Sequence, residues 1–308
     1  MEEKIGIIYC PAGNALSGKA KNRQRVEEIL SASGLLYDYI QSESPEGVSR
    51  LFNMLVENGY QRIAIIGGDT ALNDAVNCMM ALPEGRRDTI SLAIIPFTRR
   101  NDFAAFWGLS SKSLEKSIDV LSRGRSRRID VGCLHYVDKA GKPCERYFIN
   151  CVNIGLVASL QSLRRKTQKL FGSYTLAYFS SAFLIVTQRL GYKMHINING
   201  EDIRKNVMTV CVGNCSGYGQ TPNAVPYSGR LDISLISNSS IGKLLSGVRL
   251  FFSRRFLMHS GVNAYRSNEI RVISSANAPI TVDGRMLKGI TGEYSISVIK
   301  EAINFVIP

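Results

Sequence analysis

Gly67, Gly68 and Asp69 follow the apolar run Ile63–Ile66 and precede Leu72–Met80, a stretch with helical spacing. A glycine pair between a buried strand and a helix lets the backbone come close to a phosphate. The start of the helix adds N–H groups and a partial positive charge. The same residues also make an ordinary tight strand-to-helix turn, and alone they do not decide between the two. About thirty residues later, Thr98-Arg99-Arg100 leads into Asn101-Asp102. Arg99, Arg100 and the distant Arg285 carry guanidinium groups that can hold phosphate through paired hydrogen bonds. Pointing to solvent, they would add only surface charge. Asp283 stands two residues before Arg285, in the segment PITVDGR.

Metal chemistry of the zinc type has no spacing signal. The seven cysteines are scattered, no CxxC pair occurs, and the three histidines (His135, His195, His259) stand apart. Most cysteines sit in apolar runs and read as buried thiols of a reducing compartment. No metal ligand is therefore assigned. Lys and Arg number 38 against 25 Asp and Glu, for a net charge of +13. Such a surplus attracts polyanions or serves only as a solvated surface. No nucleic-acid-binding motif accompanies it, so nucleic acid is not expected as a partner.

The elements that must position these residues come in two kinds. With 308 residues, two domains are expected. In the first third, strand-like runs (Lys4–Tyr9, Leu36–Ile40, Ile63–Ile66, Ser91–Ile95) alternate with helical patterns (Lys21–Ser31, Pro45–Asn58, Leu72–Met80). Alternation of this kind means a parallel sheet, whose ligands bind beyond the carboxyl ends of the strands. Ser122–Arg128, SRGRSRR, reads as a basic connector. Beyond it, short period-two runs with turn signals predict antiparallel β structure, with a hairpin at Asn199-Gly200. Helical stretches near 163–190 and 240–257 interrupt it, and Ala302–Ile307 reads as a strand returning to the first domain. The expected division is 1–128 with 301–308, and 129–300. The acidic start MEEKIGIIYC predicts no secretion signal. Leu170–Leu190 is apolar but studded with Ser, Thr, Gln and Arg, so it predicts a packed or interfacial helix rather than a span.

The ordered blocks IAIIGGDTALNDAVN, IIPFTRRNDFAAFWGL, VCVGNCSGYGQTPNAVPYSGRLDISLI and PITVDGR resemble the diacylglycerol and sphingosine kinase family of lipid kinases. That family shows GGDGTLNE, PxGTGNDFAR, a GN…DGxLD segment and a DGE element in the same order, and the resemblance runs over essentially the whole chain. It implies an α/β fold: an N-terminal parallel-sheet nucleotide-binding domain of NAD kinase/diacylglycerol kinase type, followed by an antiparallel β-sandwich-like domain. It further implies ATP and Mg2+ in an interdomain cleft, attack of a lipid hydroxyl on the γ-phosphate, and work as base and magnesium partner for the DGE carboxylates. Mapped residue by residue, it assigns Gly67, Gly68, Asp69, Thr70, Asn73, Thr98, Asn101 and Asp102 to the nucleotide, and leaves Asp283 as the catalytic acid or base.

This chain departs from the pattern at several of those places. Thr70 stands for the third glycine of GGDG, and its side chain is expected to be ill-suited to the positive φ and open space of a phosphate path. Ala71 replaces a threonine. Thr98-Arg99-Arg100 replaces Gly-Thr-Gly. Ser228 replaces the aspartate of a magnesium-binding turn, so no tightly held magnesium is expected there. Arg285 replaces the glutamate of DGE, and a guanidinium cannot act as a base.

Two readings follow. One is an ATP-dependent lipid kinase. The other is a silent pseudokinase that binds a nucleotide or an anionic lipid headgroup. NAD kinase shares the glycine loop, but the GN…LD block and the Asp283-Gly284 pair favour the lipid branch. The resemblance implies a cytoplasmic protein, leaving open peripheral contact with an anionic inner membrane surface and a homodimer.

Overall fold

The computed structural model describes residues 4–10, 16–42, 47–98, 101–159, 191–216, 220–237 and 261–308. The apolar stretch Leu170–Leu190 and the expected helices near 163–190 and 240–257 lie outside the described residues. Among the described residues no helix is long and apolar enough to cross a membrane. The chain divides into two units, Met1–Val131 with Lys300–Pro308, and Gly132–Ile299.

The first unit is built on β1 (Ile5–Tyr9), β2 (Tyr37–Gln41), β3 (Arg62–Gly67) and β4 (Ser91–Pro96), joined at one edge by the end of β15 (Thr291–Val306). The order is β2-β1-β3-β4-β15, and every described pairing is parallel. β1, β3 and β4 are almost wholly buried, which explains their unbroken apolar runs. α1 (Leu16–Ala32), α2 (Gly47–Glu57) and α3 (Asp69–Met80) connect the strands. α2 buries Val48, Leu51, Phe52, Leu55 and Val56, one face of a helix read at a period of 3.6. The chain leaves β1 toward β2 on one side and then builds β3 and β4 on the other. In sheets of this kind ligands bind beyond the carboxyl ends of the strands where the order reverses, here β1 and β3, and the glycine pair sits at that end of β3.

Three helices were not foreseen: α4 (Glu84–Arg87), α5 (Asp102–Phe106) and α6 (Leu114–Arg123). The last corrects the expected basic connector. Ser122 and Arg123 end α6, Gly124 closes it at φ +63° as a left-handed C-cap, and Ser126 already begins β5 (Ser126–Val137). Tertiary contacts outweigh the local charge here. Arg128 donates to the carbonyl of Glu301 at 2.7 Å and pairs with Asp88 at 3.1 Å, while the N–H of Glu301 donates to the buried Asp130 carboxylate at 2.9 Å.

The second unit is antiparallel wherever its pairings are described. Its sheet runs β14 (Arg285–Leu287), β13 (Ile280–Val282), β7 (Cys151–Gly155), β9 (Glu201–Gly213), β8 (Tyr192–Ile198), β12 (Glu269–Ser274) and the start of β15. β10 (Leu231–Ser237) pairs with β9 and with β11 (Val262–Ser267), and β5 pairs with β6 (Pro143–Phe148). The inward positions, among them Val152, Ile196, Val210, Ile233 and Ile270, form one apolar core. Two hairpins turn on two residues with positive φ, Asn199-Gly200 (53° and 83°) and Asp283-Gly284 (43° and 77°). Both have the turn whose twist matches paired strands.

Candidate active site

α3 starts directly after the glycine pair. Gly68 is its N-cap residue, extended at φ −110° and ψ 179°, with no side chain capping the helix, and the Leu72 N–H returns to the Gly68 carbonyl at 3.1 Å. Thr70 lies in the first helical turn, and neither it nor either glycine has positive φ. This corrects the expectation at Thr70: the backbone here asks for no left-handed residue. The glycines serve close approach instead. A Cβ on Gly68 would stand 3.1 Å from both Cγ2 and Oγ1 of Thr98, and one on Gly67 would stand 3.2 Å from Cβ of Ala71. The turns after β3 and β4 are pressed together, and the Phe97 N–H donates to the Gly67 carbonyl at 2.9 Å.

A second set of contacts ties Asp69 to Asn101 and Asp102. The largely buried Asp69 carboxylate accepts the backbone N–H groups of Asp102 at 2.9 Å and Phe103 at 3.3 Å. Asn101 Oδ1 accepts the Ala104 N–H at 2.8 Å, and its amide donates to the Gly67 carbonyl at 3.5 Å. Three leading amides of α5 are thus capped by side chains of two different loops. Phe103 packs edge-on to Phe305 at 5.0 Å between ring centres, which anchors α5 to the returning strand. Gly67, Gly68, Asp69, Thr98, Asn101 and Asp102 are therefore neighbours. Asn73, also buried, accepts from the Asn77 side chain through its carbonyl at 2.8 Å and its Oδ1 at 3.2 Å.

Asp283 lies in the second unit and is turned into the backbone. Its buried carboxylate accepts the N–H groups of Ile149 at 2.8 Å, Asn150 at 3.0 Å and Cys151 at 2.9 Å, while its own N–H donates to the Cys151 carbonyl at 3.0 Å. Acid–base work at Asp283 finds no support in this geometry. Three buried amides need an acceptor, and a left-handed turn residue supplies it. Arg285 pairs with Val282 across the turn, at the position of the family's glutamate.

Ser228 closes a small turn, donating to the Arg230 carbonyl at 3.1 Å and accepting the Arg230 N–H at 3.3 Å. The nearest acid, Asp232, forms an ion pair with Arg266 at 2.7 Å. Two fully buried asparagines escaped the sequence reading. Neither side-chain polar atom of Asn150 meets a hydrogen-bond partner among the described residues, and Asn153 Oδ1 likewise meets none. Their signal was two amides in the apolar run FINCVNIG. Beside them, a contact with Cys211 and full burial push the Cys151 thiol well above its ordinary range.

Residues 4–134 match the diacylglycerol kinase catalytic domain, and residues 150–305 match the YegS C-terminal NAD kinase β-sandwich-like domain. A protein of Shewanella frigidimarina named "Probable lipid kinase YegS-like" is 25% identical over 95% of this chain and 92% of its own length. A diacylglycerol kinase of Staphylococcus carnosus is 21% identical over 92% of this chain and 89% of its own. Among solved structures, a diacylglycerol kinase from Bacillus anthracis superposes with a TM-score of 0.69 at 14% identity, over 99% of this chain and 97% of that one. At that identity the likeness is one of fold.

Proposed function

The chain belongs to the diacylglycerol kinase family of lipid kinases, and from that kinship we propose that it binds the phosphates of a nucleotide, ATP by family likeness, at the Gly67-Gly68 turn while transferring phosphate at or near background. The observation that carries this reading is at the DGE-like turn. Asp283 spends its carboxylate on three backbone amides, and Arg285 holds the place of the glutamate.

Phosphate fits the first unit. The N-terminal amides of α3 point out of a turn that no side chain caps, at the carboxyl end of a parallel strand. Gly67 and Gly68 let the two loops pack closely beside that turn, Thr98 lies against Gly68, and Asp69 with Asn101 locks the two loops through α5. Asn73 braces α3 from within. Mg2+ fits less well. A hard cation wants carboxylate oxygens, yet Asp69 faces the α5 amides, Ser228 is neutral and Asp232 faces Arg266. Bound ATP would supply the phosphoryl group, and positioning with charge stabilisation would be the protein's whole contribution to its transfer. The residues present can bind and orient, but they do not offer the family's base. An anionic lipid headgroup shares the phosphate chemistry, and the net charge of +13 favours either ligand and an anionic membrane surface.

The second reading is an active lipid kinase. It is favoured by both domains matching in order and by retention of Gly67, Gly68, Asp69, Asn101 and Asp102. Labelled ATP with magnesium and mixed lipid micelles, beside an intact family enzyme, separates the two, with nucleotide affinity measured independently by calorimetry. Binding without turnover is expected. Turnover comparable to the intact enzyme favours the second reading.

A further inference from the structure

We propose that Cys133, His135 and Glu145 form a binding site for a thiolate-seeking divalent cation of the zinc class on the β5–β6 hairpin. The ligand atoms all lie within 4.8 Å of one another. Cys133 Sγ stands 3.8 Å from His135 Nδ1, and that nitrogen stands 3.2 Å from Glu145 Oε1. Metal–ligand lengths of about 2.0–2.3 Å in a tetrahedron put neighbouring donors about 3.3–3.7 Å apart. The two pairs with His135 thus stand within a few tenths of an ångström of that spacing. The Cys133–Glu145 pair, within 4.8 Å, closes by a side-chain shift of at most about an ångström to seat an ion, with a fourth position left for water.

Strand register produces this arrangement. His135 and Glu145 are direct cross-strand partners, and Cys133, two residues before His135, projects from the same face. No sequence spacing of the CxxC kind announces such a site. Outer contacts already hold the ligands. Tyr147 hydroxyl donates to Glu145 Oε2, which leaves Oε1 toward the histidine. His135 Nε2 lies 3.0 Å from Ser297 Oγ on β15. A serine hydroxyl donates or accepts, so it satisfies Nε2 both without the ion and when Nδ1 is a ligand.

The charge and softness of the set choose the ion. One thiolate and one carboxylate balance a divalent cation. Sulfur and imidazole select zinc over magnesium, so this site is distinct from any kinase cofactor. Cys133 is buried, and a buried thiol keeps its proton when no ion is bound. Binding exchanges the proton for the ion, M2+ plus Cys–SH giving M–S–Cys plus H+ released to solvent. The His135 and Glu145 side chains are 40% and 51% exposed, which gives the ion a path from the outer side. Bound there, it would brace β5, β6 and, through Ser297, β15.

The test is a Co2+ titration of the full chain after EDTA treatment, followed by Zn2+ competition. Wild type is expected to develop a thiolate-to-cobalt charge-transfer band with tetrahedral visible bands, saturating at stoichiometric metal and erased by zinc. Cys133→Ser should abolish the band. Cys144, opposite Tyr136 on the other face, is the control, and Cys144→Ser should leave the band intact. His135→Gln and Glu145→Gln, at half-exposed positions, should each remove tetrahedral binding with circular dichroism unchanged. They decide the matter if Cys133→Ser does not fold. Ser297→Ala should weaken binding by roughly tenfold. No band in wild type, a band that survives Cys133→Ser, or one untouched by His135→Gln and Glu145→Gln would overturn the proposal.

Discussion

The carboxylate of Asp69 accepts the backbone N–H of Asp102 at 2.9 Å, so the first residue of one helix caps the start of another. The acid after the glycine pair thus works across the two loops, and its nearest task is to hold them in register. Asp69→Ala should cost about 1–2 kcal/mol, the range for a lost cap, with a further loss from stranded amides near Phe103. Asp69→Asn keeps an acceptor and should cost less. Urea unfolding followed by tryptophan fluorescence reads this directly, because Trp107 immediately follows α5. Equal stability of Asp69→Ala and wild type would remove the capping role.

Gly68 tests why the turn needs glycine. Its φ of −110° suits any residue, so the cost of Gly68→Ala is steric and directed at Thr98, 3.1 Å away. Overpacking of this kind costs about 1–3 kcal/mol. Thr98→Ala removes both atoms in conflict, so the double variant should recover most of the loss. A double-mutant cycle in urea measures the coupling. Additive effects would mean that the two loops do not touch.

Asp283 should prove to be a structural residue. Asp283→Ala leaves three buried amides without their acceptor, at about 1–3 kcal/mol for each, and unfolding of the second unit is expected. Asp283→Asn keeps one oxygen and tolerates the left-handed turn, so it should lose less. Limited proteolysis together with urea midpoints measures both. Stability within about 0.5 kcal/mol of wild type, the level of a surface change, would return Asp283 to candidacy as a catalytic group.

Much of the fold was legible because its signals are local. The apolar runs at β1, β3 and β4 are continuous since parallel strands are buried on both faces, and Asn199-Gly200 declares its own turn. Ser122–Arg128 was misread because local charge outweighed what sequence could not show, namely that Asp88, Asp130 and the backbone of Glu301 wait for that segment. At the site, the identity of the glycine and Asn-Asp loops was visible, but the reason for each residue was not. Positive φ was expected near Thr70, and close approach to Thr98 is what occurs. Cys133, His135 and Glu145 meet only through the register of a hairpin.

The Cys133 thiol predicts a pH effect in the metal-free protein. Burial, then the Glu145 charge, raises it from the ordinary 9.0 to about 12. The folded state therefore holds a proton that the unfolded state gives up first. The associated stability is complete below about pH 9 and is lost as pH rises toward 12. Tyrosines with raised values, Tyr9 and Tyr136 among them, lose stability over the same alkaline range, so the informative quantity is a difference. Urea midpoints from neutral to alkaline pH, compared with Cys133→Ala, should converge as pH rises. Parallel curves would show that the thiol ionises equally in both states.

The strongest test of function is to restore the lost chemistry. Arg285→Glu, with Thr70→Gly and Gly-Thr-Gly at 98–100, rebuilds the family pattern. Activity of the unmodified chain is expected near background. One well-placed electrostatic group is worth about 10²–10³ in rate, and several acting together need not add. Arg285→Glu alone should give the larger gain, since it replaces a fixed cation with the missing carboxylate. Thr70→Gly should give little, because Thr70 is already helical, and should cost only about 0.3 kcal/mol in helix stability, since threonine is itself a poor helix former. Arg99 and Arg100, which the change at 98–100 removes, lie outside the described residues; losing two cations suited to phosphate should weaken nucleotide binding while turnover rises. Affinity without transition-state preference does not quicken chemistry. Initial rates with labelled ATP and lipid micelles, paired with nucleotide affinities from calorimetry, separate the two effects. If the unmodified chain matches an intact relative and Arg285→Glu adds nothing, the carboxylate at 285 is not what limits turnover, and the silent reading falls.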